Sequence, residues 1–309
     1  MEKARQQTTD RVFMVRPCRF LANPETLGDN HFQVAERGTD DANECAQREF
    51  DGFVELLRSH GVEVIVAEDT PEPHTPDSIF PNNWFLTDDK GNLTIFKMYA
   101  PSRDAESHKE ALYNRLVEAY QPRVIWDMRP ISEEMGEVLE GTGTMIIDRP
   151  NRMIYACRSQ RLSEPLLDIL CQRYGYSSVI FDALDKEGMP IYHTNVMMAL
   201  ATDLAVICLA SIPEDQQDYV ISALRSSGHE ICDISMEQVY HFAGNMLSVR
   251  NHQGEQFMVM SQRALASLTD EQRAMIEKSM TIIAPSLTTI EDLGGGSARC
   301  MMGELYRYE

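Results

Sequence analysis

Apolar residues recur at three- and four-residue spacing in five separate stretches, and each stretch runs into a short segment rich in β-branched residues. That spacing paints a stripe on one face of an α-helix, and a short apolar run bounded by turn residues suits a buried strand. In NECAQREFDGFVELLRSHG the stripe is Phe50, Phe53, Val54 and Leu57, and VEVIVAED follows. AESHKEALYNRLVEAYQ carries Leu112, Leu116, Val117 and Tyr120 ahead of RVIWDM. SEPLLDILCQRYGY, with Leu166, Leu167, Leu170 and Tyr174, precedes SSVIFDAL. EDQQDYVISALRSSG, striped by Val220, Ala223 and Leu224, leads into HEICDI, and TDEQRAMIEKSM leads into TIIAPS. The five strands after these helices are expected to be largely buried.

Ile65, Ile125, Ile180, Ile231 and Ile282 anchor those strands at intervals of roughly 50 to 60 residues, the range that marks internal repeats. Further short strands lie between: LTIFKM, TMIID with MIYACRS, VMMALATDLAVICLAS, and MLSVRN with QFMVMS. The pattern predicts an α/β fold of five units, each one helix and three strands. No Gly/Ser- or Pro-rich linker divides the chain, so residues 1–309 read as a single domain. ETLGDNHFQ reads as a loop ahead of the first unit.

Within roughly 12 to 18 residues of each anchor comes one chemically distinctive side chain: Asp77, Glu140, His193, Asn245 and Cys300. In a five-fold repeat these positions gather around one axis at one end, which makes neighbours of residues far apart in sequence. A cysteine attacks as thiolate and needs a cation, a helix N-terminus or a histidine close by. Arg299 adjoins Cys300, and the amides of Gly294, Gly295 and Gly296 allow close approach to a substrate. His193 can give a proton to a leaving nitrogen and take one from water, with Glu140 holding the imidazole. The set suits attack on a planar carbon bearing two or three nitrogens, or nitrogen and oxygen. Asn245 reads as a structural residue that holds backbone at the axis.

Composition narrows the partner. The formal charge is −20 and the pI about 4.8, which disfavours nucleic acid and anionic lipid surfaces and leaves a small molecule in a pocket. No apolar run is long enough to span a membrane, and the N-terminus has no signal-peptide core. The seven scattered cysteines, without a CxxC, fit reduced thiols in the cytoplasm, most of them small buried hydrophobes. No HExxH or phosphate-loop pattern follows, so neither a metal nor a nucleotide is expected. The remaining histidines, His31 among them, read as surface or packing residues. Self-association into a homo-oligomer stays open.

GGGSARCMMGE, LEGTGT, YHTN and DSIFPNNW, in this order, resemble the guanidino-group-modifying enzymes of the pentein, or amidinotransferase-like, superfamily. The nearest likeness is to the branch of citrulline-utilisation hydrolases. The resemblance implies a five-bladed α/β-propeller of ββαβ repeats around a central active-site channel, and cofactor-free catalysis. It makes Cys300 the nucleophile, His193 the acid/base and Glu140 the carboxylate beside them. It places Asp77 near the substrate's amino end and gives Arg103 and Arg158 the substrate carboxylate.

Two positions depart from the deiminase pattern. Asn83, preceded by Asn82, and Asn195 stand where deiminases carry acids that grip a cationic guanidinium. An unpaired buried cation costs several kcal/mol, whereas an asparagine can donate and accept toward a neutral ureido group. The expected substrate is therefore a ureido amino acid, citrulline foremost. The alternative is an arginine deiminase or another guanidine hydrolase or amidinotransferase, acting through an S-amidino cysteine. Penteins that bind ribosomes, and degenerate regulatory relatives, are the readings from outside catalysis.

Overall fold

The computed structural model describes residues 6–308 apart from 27, 29, 31 and 34–40, so His31 lies outside the described residues. Its strands are β1 (Arg11–Arg16), β2 (Glu63–Glu68), β3 (Phe85–Thr87), β4 (Asn92–Ile95), β5 (Val124–Asp127), β6 (Ile146–Asp148), β7 (Met153–Cys157) and β8 (Ser177–Phe181). There follow β9 (Met198–Leu200), β10 (Leu204–Ile207), β11 (Glu230–Asp233), β12 (Leu247–Arg250), β13 (Gln256–Val259), β14 (Thr281–Ile283) and β15 (Gly303–Glu304). They form five three-stranded sheets of one plan. In β3-β4-β5, β6-β7-β8, β9-β10-β11 and β12-β13-β14 the first two strands pair antiparallel, and the third returns parallel after a helix. The remaining sheet takes its parallel pair, β1 and β2, from the N-terminal end and its antiparallel strand, β15, from the C-terminal end. All five isoleucine anchors fall on the parallel third strands.

The helical stripes are buried as their spacing requires. Phe50, Phe53, Val54 and Leu57 face inward from helix Ala42–Ser59, and Leu112, Leu116 and Tyr120 from Glu110–Tyr120. Helix Glu164–Tyr174 buries Leu166, Leu167 and Leu170; helix Glu214–Ser226 buries Val220 and Leu224. The helices wedge between neighbouring sheets: Glu110–Tyr120 packs on β2, and Glu214–Ser226 on both β8 and β11. Tyr174 meets Trp126 of β5 edge-on, ring centroids 5.8 Å apart.

The third strands are less buried than their apolar pattern predicts. Val124 and Ile125 of β5 are 45% and 43% exposed, whereas β3, β6 and β9 are buried throughout. Each third strand is the far edge of its sheet, paired on one side alone, so only the face under the helix is covered. A β-branched run reports strand, not position within the sheet.

Five tight turns precede the inner strands, and each touches the next. Thr142 Oγ1 donates to the Asn82 carbonyl (3.0 Å), and Thr194 Oγ1 to the Thr144 carbonyl (2.6 Å). Asn245 Nδ2 donates to the Asn195 carbonyl (3.0 Å) and toward Cys300 Sγ (3.2 Å). The ring closes where Gly303 lies against Phe85, so tightly that a Cβ there would sit 2.2 Å from the ring. Chemistry-bearing residues from all five units thus meet at the same end.

Candidate active site

Three turns bring Cys300, His193 and Glu140 into one buried region. Cys300 ends a turn whose amide bonds back to the Ser297 carbonyl (3.0 Å). Ahead of it, helix Thr288–Gly294 stops at Gly295, whose φ of +61° is a left-handed cap that glycine adopts at no steric cost. The Phe80 ring rests so close to Gly294 and Gly296 that side chains there would collide with it. The three glycines, Cys300, His193, Asn83, Asp77, Arg103 and Arg161 border a cavity with about 300 Å³ unoccupied by protein atoms.

His193 Nε2 lies 2.6 Å from Glu140 Oε2, and its ring packs on Tyr192 at 4.6 Å between centroids. Glu140 Oε2 also meets the Arg161 guanidinium at 3.4 Å, while its Oε1 accepts the Tyr99 backbone N–H (2.7 Å). Burial alone would raise the Glu140 carboxyl. The Arg161 charge, the His193 hydrogen bond and the more distant Arg103 overcome it and hold Glu140 down at about 2. Burial pushes the His193 imidazole below its ordinary value, against the opposing pull of Glu140. The resting pair at neutral pH is therefore a carboxylate accepting from a neutral imidazole.

Asp77 is buried, and burial raises its carboxyl despite the charge of Arg103. Its Oδ2 accepts from Asn23 Nδ2 (2.8 Å), and its Oδ1 has no hydrogen-bond partner. Arg103 is held by a two-pronged bond to Glu106 (3.0 and 3.1 Å) and donates to the Phe80 carbonyl (2.7 Å). Burial raises Glu106 to about 7 even beside that arginine. Around the sulfur the polar groups are amides. Asn195 Nδ2 and Asn245 Nδ2 donate toward Cys300 Sγ at 3.6 and 3.2 Å, and the Oδ1 atoms of Asn83, Asn195 and Asn245 lack partners. Among the described residues no group of three His, Cys, Asp or Glu side chains could hold a metal.

Two expected site residues lie elsewhere. Arg158 sits on the surface, paired with Glu164 (2.7 Å) and Asp182 (3.4 Å), because it directly follows β7 and its amide continues the pairing with β8 at the Phe181 carbonyl. Arg299 is buried but turned from the cavity, donating to the Met302 carbonyl (2.9 Å) and Glu304 (3.0 Å) of its own C-terminal stretch. The arginine that faces the site is Arg161. The Glu140 amide bonds to the Arg161 carbonyl (3.3 Å), beside a Leu139–Leu162 bridge. That pairing of two loops has no periodic signature in sequence. Tyr99 is likewise recruited through a backbone amide, which residue type does not reveal. All seven cysteines are free, and Cys157, Cys171, Cys208 and Cys232 are packed in the core.

Residues 16–307 match the family model of N,N dimethylarginine dimethylhydrolase, eukaryotic. The chain belongs to that hydrolase family. Through it the protein is a member of the pentein, or amidinotransferase-like, superfamily. This dimethylhydrolase-family fold is similar to the N-terminal domain of ArgZ, an arginine dihydrolase of cyanobacteria solved with its substrate. The TM-score is 0.73 at 15% identity, covering 96% of this chain and 98% of that one. Unliganded AgrE gives 0.73 at 16% identity over 96% of this chain and 39% of its own. A dimethylarginine dimethylaminohydrolase adduct with S-methyl-L-thiocitrulline gives 0.65 at 16% identity, covering 95% and 98%. The chain matches none of the curated protein sequences. Among the described residues no helix is long and apolar enough to cross a membrane.

Proposed function

We propose that residues 1–309 form one cytoplasmic catalytic domain, a five-bladed α/β-propeller of the citrulline-utilisation branch, that hydrolyses citrulline to ornithine and carbamate without a cofactor. The five sheets are its blades, and the five turns ring the channel in which Cys300 works. Cys300 Sγ attacks the ureido carbon after passing its proton to His193. The carbon–nitrogen bond to the ornithine side chain breaks, and that proton leaves with the amine. Water then attacks the S-carbamoyl enzyme, His193 accepts its proton, and the carbon–sulfur bond breaks. Carbamate decomposes to ammonia and carbon dioxide.

One observation carries the choice of substrate. Both oxygens of Glu140, the carboxylate bonded to His193, already accept hydrogen bonds, and the side chains that reach the sulfur are neutral asparagines. With the open Asp77 Oδ1 given to the substrate's ammonium, a guanidinium would find no further open carboxylate oxygen at Glu140, and burying a cation unpaired is costly. A neutral ureido group can give an N–H to the partnerless Oδ1 of Asn83, which borders the cavity. In the same cavity the partnerless Asp77 Oδ1 suits an ammonium, and Arg103 and Arg161 suit a carboxylate. In this reading Arg161 has the part that the family resemblance implies for Arg158.

The second reading is hydrolysis of a guanidino group through an S-amidino cysteine. The family model describes dimethylarginine hydrolases, and ArgZ is an arginine dihydrolase. Acid quenching during turnover, followed by peptide mass spectrometry, separates the two. The citrulline reading predicts a carbamoyl adduct on Cys300 from citrulline and no adduct on Cys300→Ala. An amidino adduct from arginine, with none from citrulline, supports the second reading and sinks the first.

A further inference from the structure

From sequence Asn245 reads as a structural residue of the fourth unit, yet its side chain reaches Cys300. It is buried, and its Nδ2 bridges the Asn195 carbonyl (3.0 Å) and Cys300 Sγ (3.2 Å). Asn245 is not among the residues that border the cavity. Its backbone is fixed in place. The Asn245 amide bonds to the Phe242 carbonyl (2.9 Å), and Gly244 lies so close to Val196 that a Cβ would fall 2.2 Å from its carbonyl oxygen. A residue that merely held backbone at the axis would need only the bond to Asn195.

We propose that Asn245 is a positioning residue for Cys300. Its carboxamide N–H, with that of Asn195, donates to the sulfur and fixes the direction of attack. A hydrogen bond to an ionised acceptor is roughly twice as strong as one to a neutral acceptor, so the pair acts most on the thiolate. A buried carboxylate at this position would repel the same charge. The inference rests on Cys300 being the nucleophile but not on which substrate it attacks.

The test is alkylation of Cys300 by iodoacetamide, followed by peptide mass spectrometry without substrate across a pH series. Asn245→Asp keeps the shape and replaces the donor with an acceptor; Asn245→Ser shortens the side chain. The proposal predicts alkylation about tenfold slower or more at neutral pH in Asn245→Asp, with the deficit closing in alkali. Asn245→Ser is expected to lie between it and the parent, and both are expected to lower kcat far more than they raise KM. Folded variants whose alkylation profiles coincide with the parent's overturn the proposal, whatever citrulline does. If neither variant folds, side-chain amide resonances of the asparagine-labelled parent give the answer. Two amide pairs must titrate with the thiol and stop doing so in Cys300→Ser; fewer than two overturns it.

Discussion

At the scale of single residues, the site works by where charge is kept and where it is withheld. Glu140 is held ionised at the site, since its usual value near 4.5 falls to about 2 in the fold. A depressed carboxylate contributes stability that is fully present above the unfolded value and lost as pH falls through the folded one. The contribution is about 3 kcal/mol, lost between about pH 4.5 and 2. Denaturant titrations over this range are expected to show a shallower acid limb in Glu140→Gln than in the parent. Equal slopes would mean that folding leaves the Glu140 carboxyl at its unfolded value. His193 fits the same arrangement: kept neutral by burial, it can accept the thiol proton, and Glu140 stabilises the imidazolium so formed.

At the scale of elements, the inner turns set the geometry and the strands hold them in place. Gly143 shows how little slack there is. A Cβ there would lie 2.5 Å from Asn83 Oδ1 and 2.8 Å from the His193 ring. Gly143→Ala is expected to destabilise the fold by about 1 to 3 kcal/mol through overpacking and to cut kcat/KM at least tenfold by displacing His193. Melting curves and steady-state kinetics on the same preparation measure both; unchanged kinetics would show that the ring has room to give.

Much of this element plan can be read in the chain, and for a physical reason. Helix stripes such as Phe50, Phe53, Val54 and Leu57 must face a core, so their spacing reports both helix and repeat. The anchors on β2, β5, β8, β11 and β14 follow from it, and so does the gathering of Asp77, Glu140, His193, Asn245 and Cys300. What cannot be read is direction within a turn. Arg158 and Arg161 are three residues apart with the same chemistry, and only the pairing of Leu139 with Leu162 sends one inward. Arg299 neighbours Cys300 in sequence, yet its guanidinium serves the Met302 carbonyl and Glu304.

At the scale of the whole molecule, the C-terminal stretch completes the sheet that the N-terminal strand begins, and β15 starts three residues after Cys300. The net charge of −20 is not repeated inside. Asp77, which borders the cavity, and Glu140, which is bonded to His193, both feel the charges of Arg103 and Arg161, and amides reach the sulfur. An acidic exterior therefore says little about what the interior binds, and the substrate follows from the local balance. The central claim is that this interior selects a neutral ureido group over a guanidinium. Its most direct test is ornithine release by purified enzyme from citrulline and from arginine, compared as kcat/KM under identical conditions. The account predicts a value at least about tenfold higher for citrulline, the scale set by one unpaired buried group. Faster release from arginine would contradict it.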